Sequence, residues 1–322
     1  MNKLENVLKY FCPKSSSLSF WWLKVEEGEG YLKLNLDNIR DYYLDFSNKS
    51  LYNGPFDKNG VPLLDYKGSI GKQYNPCAIA QYGLGLISKY LKTKKLEMLE
   101  KAIIQGNWLC ENIKISKNNI GRLEYNFGDA SYVNIKKGYI SAIAQGQAIS
   151  LLLRLFIITS DKKYMLGAEN LFRSFLYPIS ENGVVNFDKE NNIFLEEALT
   201  SRVSCILDGF IYAIFGVYDY YLITNSEEAK KLFDNCCKTL KKILPKFDLG
   251  FWSRADMYLE RPKMPASYFY HNVHIYQLKA MYSITKIEDF KYFYILWKRY
   301  RDNIFYRYIA LVYKCYFKIF YY

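Results

Sequence analysis

Histidine occurs twice in this chain, at His271 and His274, within the run Tyr268-Phe269-Tyr270-His271-Asn272-Val273-His274-Ile275-Tyr276-Gln277-Leu278. An imidazole exchanges protons near neutral pH, and a phenol does so once its pKa is lowered, so the run gathers groups fit for acid–base chemistry. On a helix, residues three apart share a face and both rings point into the same space. A zinc site needs three or four ligands, and no cysteine or third histidine lies nearby in sequence. The plainer reading of His274 is an internal histidine bonded to a carbonyl. Carboxylates supply the other candidates. Glu196 and Glu197 sit between Ile193-Phe194-Leu195 and Ala198-Leu199, an uncomfortable place for an exposed acidic step. Glu197 with Asp208 or Asp256 could also form the carboxylate pair of a glycoside hydrolase. Arg254 suits a carboxylate partner, because a guanidinium meets a carboxylate at two points.

The elements that would position these residues repeat. Four segments share an apolar helix, a short break containing threonine, and a charged start to a second helix, with the threonines at Thr93, Thr159, Thr224 and Thr285. The period suits a pair of long helices plus a connection, and small polar residues at the break can cap the second helix. Apolar residues at three- and four-residue spacing predict helices over 76–91 and 140–157. Segments such as Gly121 to Gly138 and Asn182 to Phe194 read as strand-like or irregular connections. The expected fold is mainly α: an incomplete α/α toroid of about four helical hairpins, first helices inside and second helices outside, with a smaller, partly β N-terminal portion. The divisions drawn are 1–70 for that portion, 71–302 for the toroid and 303–322 for a basic, aromatic C-terminal helix. Loops entering the inner helices converge on one rim, where helix N-termini favour anions. Gln81, Gln145, Gln147, Asp208 and His274 fall near those starts and point to a central cleft. Gln145 and Gln147 read equally as packing residues bonded to backbone. Gly146 and Gly209 read as close-packing positions.

Composition bounds the partner. Of 322 residues, 44 are Lys or Arg and 32 are Asp or Glu, a net charge of +12. That excess points to an anionic partner: nucleic acid, membrane surface or acidic polysaccharide. No nucleic-acid-binding motif accompanies it. The 32 tyrosines offer flat faces that stack on sugars, although most read as half-buried core. Seven unpatterned cysteines fit a reducing compartment. Lys9, Pro13 and Lys14 interrupt the N-terminus, which has no signal-peptide core, and no run of about twenty apolar residues predicts a membrane span. The expected location is the cytoplasm, or the cytoplasmic face of the membrane if the stretch Tyr306 to Tyr322 lies on an anionic bilayer. The other reading of that stretch is a last helix packed on the domain. No cofactor or metal is called for, and a homodimer is compatible with the sequence.

At these same segments the chain resembles the C-terminal domain of D-glucuronyl C5-epimerases. The matching stretches are Asn75-Pro76 with Ile79-Ala80-Gln81-Tyr82-Gly83-Leu84, Ser141 to Ser150, Glu196-Glu197 with Leu207-Asp208-Gly209-Phe210, Gly216-Val217-Tyr218-Asp219, and Tyr270-His271 with His274-Ile275 and Gln277-Leu278. The resemblance implies an α/α toroid that inverts C5 of D-glucuronosyl residues to L-iduronosyl within an anionic, heparan-like polysaccharide. It implies tyrosines as acid and base, with a glutamate and basic groups assisting. Carried over, the catalytic set is Tyr270 and Glu197 with His271 and His274, and the substrate-binding set is Arg254, Gln81, Gln145, Gln147, Asn75 and Asp208. Two family tyrosines fall on Ala198 and Ala255, and the asparagine of a Leu-Asn-Gly stretch is Asp208. Tyr258, Tyr125 or Tyr139 could replace a missing phenol. Otherwise the chain is a uronate lyase sharing the C5-deprotonation step, or an acidic-glycan binder without turnover.

Overall fold

The computed structural model describes residues 18–28, 35–37, 40–116, 118–128, 136–199, 202–259 and 261–321. Lys9, Pro13 and Lys14 lie outside them. Four helical hairpins follow one another: α1 (Pro76–Thr93) with α2 (Leu96–Glu111), α3 (Ala142–Thr159) with α4 (Lys162–Phe172), α5 (Leu207–Thr224) with α6 (Glu227–Phe247), and α7 (Tyr268–Thr285) with α8 (Glu288–Asp302). A further helix, α9 (Ile304–Phe320), closes the chain. The fold is an α/α toroid with a small strand content. α1, α3 and α5 are buried nearly throughout, which requires apolar residues on every side, whereas α6 buries one stripe and exposes the other face. α3 is apolar enough to cross a bilayer by composition, yet most of it is enclosed by its neighbours.

Each inner helix ends the same way. Lys94, Ser160, Asn225 and Lys286 adopt left-handed backbone, and their N–H groups bond back four residues. The preceding threonine hydroxyl donates to a carbonyl four residues back and accepts the N–H two residues on, at Thr93, Thr159, Thr224 and Thr285. The repeated threonine thus ties the inner helix to its turn, while Asp161 and Ser226 supply caps to α4 and α6.

Each inner helix also begins alike. After a short antiparallel pair β1–β2 (Glu26–Glu27, Leu44–Asp45), antiparallel hairpins β3–β4 (Leu63–Asp65, Lys72–Tyr74), β5–β6 (Ile113–Ile115, Gly121–Leu123) and β7–β8 (Val185–Phe187, Ile193–Leu195) precede α1, α3 and α5. Before α7, bridges Asp248–Ser253 and Arg254–Pro265 do this instead. The 70/71 division therefore falls within the β3–β4 hairpin, which belongs to the repeat.

α3 and α5 cross closely because both are glycine at the contact. A Cβ on Gly216 would lie 2.4 Å from Gly146 Cα, and one on Gly146 2.8 Å from Ala213 Cα. Residues 40–52 fill the ring at the C-terminal half of the inner helices, burying Tyr42, Tyr43, Leu44 and Phe46. There Arg154 of α3 pairs with Asp219 of α5 at 2.7 Å, both fully enclosed. The pair is completed by the Tyr43 hydroxyl, donating to Asp219 at 2.7 Å, and by the Arg40 and Asp41 carbonyls. One continuous core joins this segment to the toroid.

Candidate active site

The N-terminal ends of the inner helices converge on one rim, and α5 is its centre. Glu197 follows β8 and lies over the first turn of α5. A Cβ at Gly209 would sit 2.1 Å from Glu197 Oε2, so glycine is what lets the carboxyl rest there. That Oε2 is buried and has no hydrogen-bond partner. Burial first, then the charges of Asp208 and Glu196, push the Glu197 pKa well above the usual carboxylate range. Its neighbour Glu196 has a different task. It accepts the Ser204 hydroxyl at 2.6 Å and the Ser204 and Cys205 amides at 3.1 Å, holding the loop into α5. Burial raises its pKa to about 7.

Asp208, on the second residue of α5, lies 3.9 Å from His274 Nε2. Both histidines are fully buried, and Ser253 joins them. The Ser253 amide donates to His271 Nδ1 at 3.2 Å, which places the His271 proton on Nε2, where it meets the Trp297 carbonyl at 3.0 Å. The Ser253 hydroxyl is 2.7 Å from that Nδ1 and 2.9 Å from His274 Nδ1. Because His271 Nδ1 carries a lone pair, the hydroxyl donates to it and accepts the N–H of His274 Nδ1. His274 Nε2, 3.9 Å from Asp208 Oδ1, is buried without a hydrogen-bond partner. His271 is a packing residue, stacked on Trp252 at 3.7 Å, and burial lowers its pKa to about 3. With both ring nitrogens engaged inside the protein, it serves neither as proton carrier nor as metal ligand.

Tyr270 stands on the first turn of α7, partly exposed, with its amide capped by the Ser267 hydroxyl. Tyr212 of α5 lies near both Tyr270 and Asp208; burial first, then Tyr42, Asp208 and Tyr270, raise its pKa. Cys77, the second residue of α1, completes the group; burial, Glu197 and Asp208 all raise its pKa. Tyr125, after β6, is held protonated by burial, beside Cys77 and Glu197, and stacks on Tyr139 at 4.4 Å. Gln81 and Gln147 line the wall beneath: Gln147 Oε1 accepts from Gln81 Nε2 and from the Cys77 thiol, each at 3.1 Å.

Two expected substrate contacts, Gln145 and Asn75, belong to the scaffold. Gln145 spends its amide on Leu123 N–H, the Gly121 carbonyl and Ser174, pinning β6 to α3. Asn75 caps α1 through Ala78 N–H and donates to the Tyr66 hydroxyl. Arg254 donates to the Tyr258 carbonyl at 2.9 Å, beside Asp256 and Arg261. Of the replacement tyrosines, Tyr125 adjoins Glu197, Tyr139 backs it, and Tyr258 lies under the Arg261 guanidinium. Ala198 is buried, and the Ala255 carbonyl accepts the Leu207 N–H at the start of α5, so both alanines flank the same helix end. Cys77 and Tyr212 went unread in the sequence. Register could have found them: Cys77 matches Asp208 as second helical residue, and Tyr212 matches Gln81 and Gln147 as sixth.

The family model of the D-glucuronyl C5-epimerase C-terminus matches residues 117–299, more than half the chain and all of the α3–α7 rim. This chain belongs to that family. The D-glucuronyl C5-epimerase of Caenorhabditis elegans is 32% identical over 166 residues, 47% of this chain but 27% of that protein's length. An uncharacterized protein of Methanocaldococcus jannaschii is 24% identical over 266 residues, 76% of this chain and 85% of that one. In three dimensions the chain is similar to cellobiose 2-epimerase from Bacillus thermoamylovorans, with a TM-score of 0.51 at 16% identity, covering 71% of this chain and 59% of the other. That likeness is one of fold. Among the described residues no group of three His, Cys, Asp or Glu side chains is arranged to hold a metal ion.

Proposed function

We propose that the chain inverts C5 of D-glucuronosyl residues in an anionic polysaccharide, giving L-iduronosyl residues. The observation that carries this reading is the buried, unpartnered Oε2 of Glu197 over Gly209, on a carboxyl whose pKa is strongly raised. A carboxyl kept neutral at working pH is a hydrogen-bond donor. Removing the hydrogen beside the substrate carboxylate builds an enediolate with added negative charge, which such a donor and the α5 N-terminus stabilise. Tyr270, as phenolate, takes the C5 proton from one face; Tyr125, protonated, supplies one to the other. Tyr270 ends protonated and Tyr125 ionised, and exchange with solvent resets the pair. The net charge of +12 suits a polyanionic substrate.

The proximity of Glu197 to Asp208 favours a second reading, in which the two carboxyls act as acid and base in glycosidic cleavage. Products discriminate. Incubation with a glucuronate-containing polymer is expected to give iduronate signals by NMR without chain shortening. Unsaturated uronate ends would mean a lyase, and new saturated reducing ends a hydrolase; either outcome overturns the epimerase reading.

A further inference from the structure

Helix α9 is built the wrong way round for a helix that only closes a domain. Its inward face is narrow, with Ala310 and Phe317 buried and Lys314 donating to the Pro265 carbonyl at 2.7 Å. Its outward face carries Phe305, Tyr308, Ile309, Val312, Tyr316 and Phe320 at helical spacing, with Phe305 74%, Val312 68% and Phe320 60% exposed. Nearby Leu259 is 79% exposed. Contiguous aromatic and aliphatic side chains of this extent mark a surface that meets something apolar.

Charge says what. α9 contains no acidic residue, and from Lys298 to Tyr322 the exposed cations are Lys298, Arg299 and Arg307 against the single acid Asp302, while Lys314 and Lys318 turn inward. Exposed Arg307 lies on the flank of the apolar stripe and donates to the Tyr268 hydroxyl. On that flank a crevice of about 160 Å³, lined by Trp22, Trp252, Tyr268, Leu311 and Cys315 among others, is almost wholly apolar. Tyrosine and tryptophan, with an apolar body and a polar tip, are the side chains that settle at a bilayer interface.

We propose that the outward face of α9 docks on an anionic lipid surface, lying in the interface plane with its aromatic stripe among the acyl chains and Arg307 at the headgroups. The helix binds by two additive terms, apolar insertion and attraction to anionic lipid, so both are needed for stable attachment.

Vesicle co-sedimentation of the full chain tests this. Vesicles of phosphatidylcholine with phosphatidylglycerol are expected to bind the protein roughly tenfold more strongly than phosphatidylcholine alone, with binding weakened by salt. The double substitution Phe305→Glu with Val312→Glu is expected to abolish binding while leaving circular dichroism and thermal unfolding unchanged, since both side chains face solvent. Absence of binding to the anionic vesicles overturns the proposal. So does a stable dimer in sedimentation velocity that the same double substitution dissociates, because the face would then join two copies of this chain.

Discussion

At the residue scale, the rim works because neighbouring side chains of one type have divided their tasks. Glu196 satisfies its carboxyl on the Ser204 and Cys205 amides, while Glu197 is left with a buried, unpartnered oxygen. His271 has both ring nitrogens engaged, by Ser253 and Trp297, while His274 Nε2 is left unpartnered 3.9 Å from Asp208. The sequence displayed the residue types but not this division, because the deciding partners, Ser253 and Trp297, lie 18 and 26 residues from His271. Cys77 was missed for another reason: its one signal is its register, second in its helix as Asp208 is in α5. Gly209 is the most direct test at this scale. Gly209→Ala drives a methyl into the space of Glu197 Oε2, whose flexible side chain can swing away. Turnover is expected to fall on the order of a hundredfold, as for a catalytic group displaced by about 1 Å, with the melting temperature nearly unchanged. A matched loss of stability would show that Gly209 serves packing alone.

At the element scale, the inner helices were legible and their neighbours less so. Apolar periodicity and the threonine breaks located α1, α3, α5 and α7, because each break repeats one local hydrogen-bond pattern. The start of α3 was placed two residues early, since Ile140 is buried in the linker while Ser141 is still extended. Gln145 showed no sign of its role, because its partners are the backbone of β6. The deepest element-to-element tie is Arg154 to Asp219, where α3, α5 and residues 40–43 meet. Asp219→Ala strands a buried guanidinium and a buried phenol. Denaturant unfolding is expected to show a loss of about 3–5 kcal/mol, as for a buried pair broken on one side. An effect below about 1 kcal/mol would mean that water reaches the pair.

For the whole molecule, burial of cations shapes stability. Lys49 is enclosed against Phe20 and Trp21, donates to the Phe20 carbonyl at 3.0 Å, and burial lowers its pKa to about 7; Lys314 is lowered likewise to about 7 and Lys318 to about 6. Below those values both folded and unfolded chains hold the protons. Above them the unfolded chain holds more, until its lysines titrate near the ordinary value of 10.5, so stability rises with pH from about 7 upward. Lys49→Met is expected to flatten that rise between about pH 7 and pH 9.5, read as the pH dependence of the denaturation midpoint; an unaltered slope would place the Lys49 charge in water. The sequence foretold the toroid but not residues 40–52 inside it, whose tyrosines look alike in core, cleft and surface. The account as a whole stands on proton exchange at C5. With a glucuronate-containing polymer in deuterated water, the unmodified protein is predicted to incorporate deuterium at C5. Tyr270→Phe and Glu197→Ala, the second removing the donor that glutamine would retain, are each predicted to lower that rate by roughly a hundredfold or more while glycan binding persists. Absence of C5 deuterium with the unmodified protein, while it still binds the glycan, would contradict the account and leave a binding protein in its place.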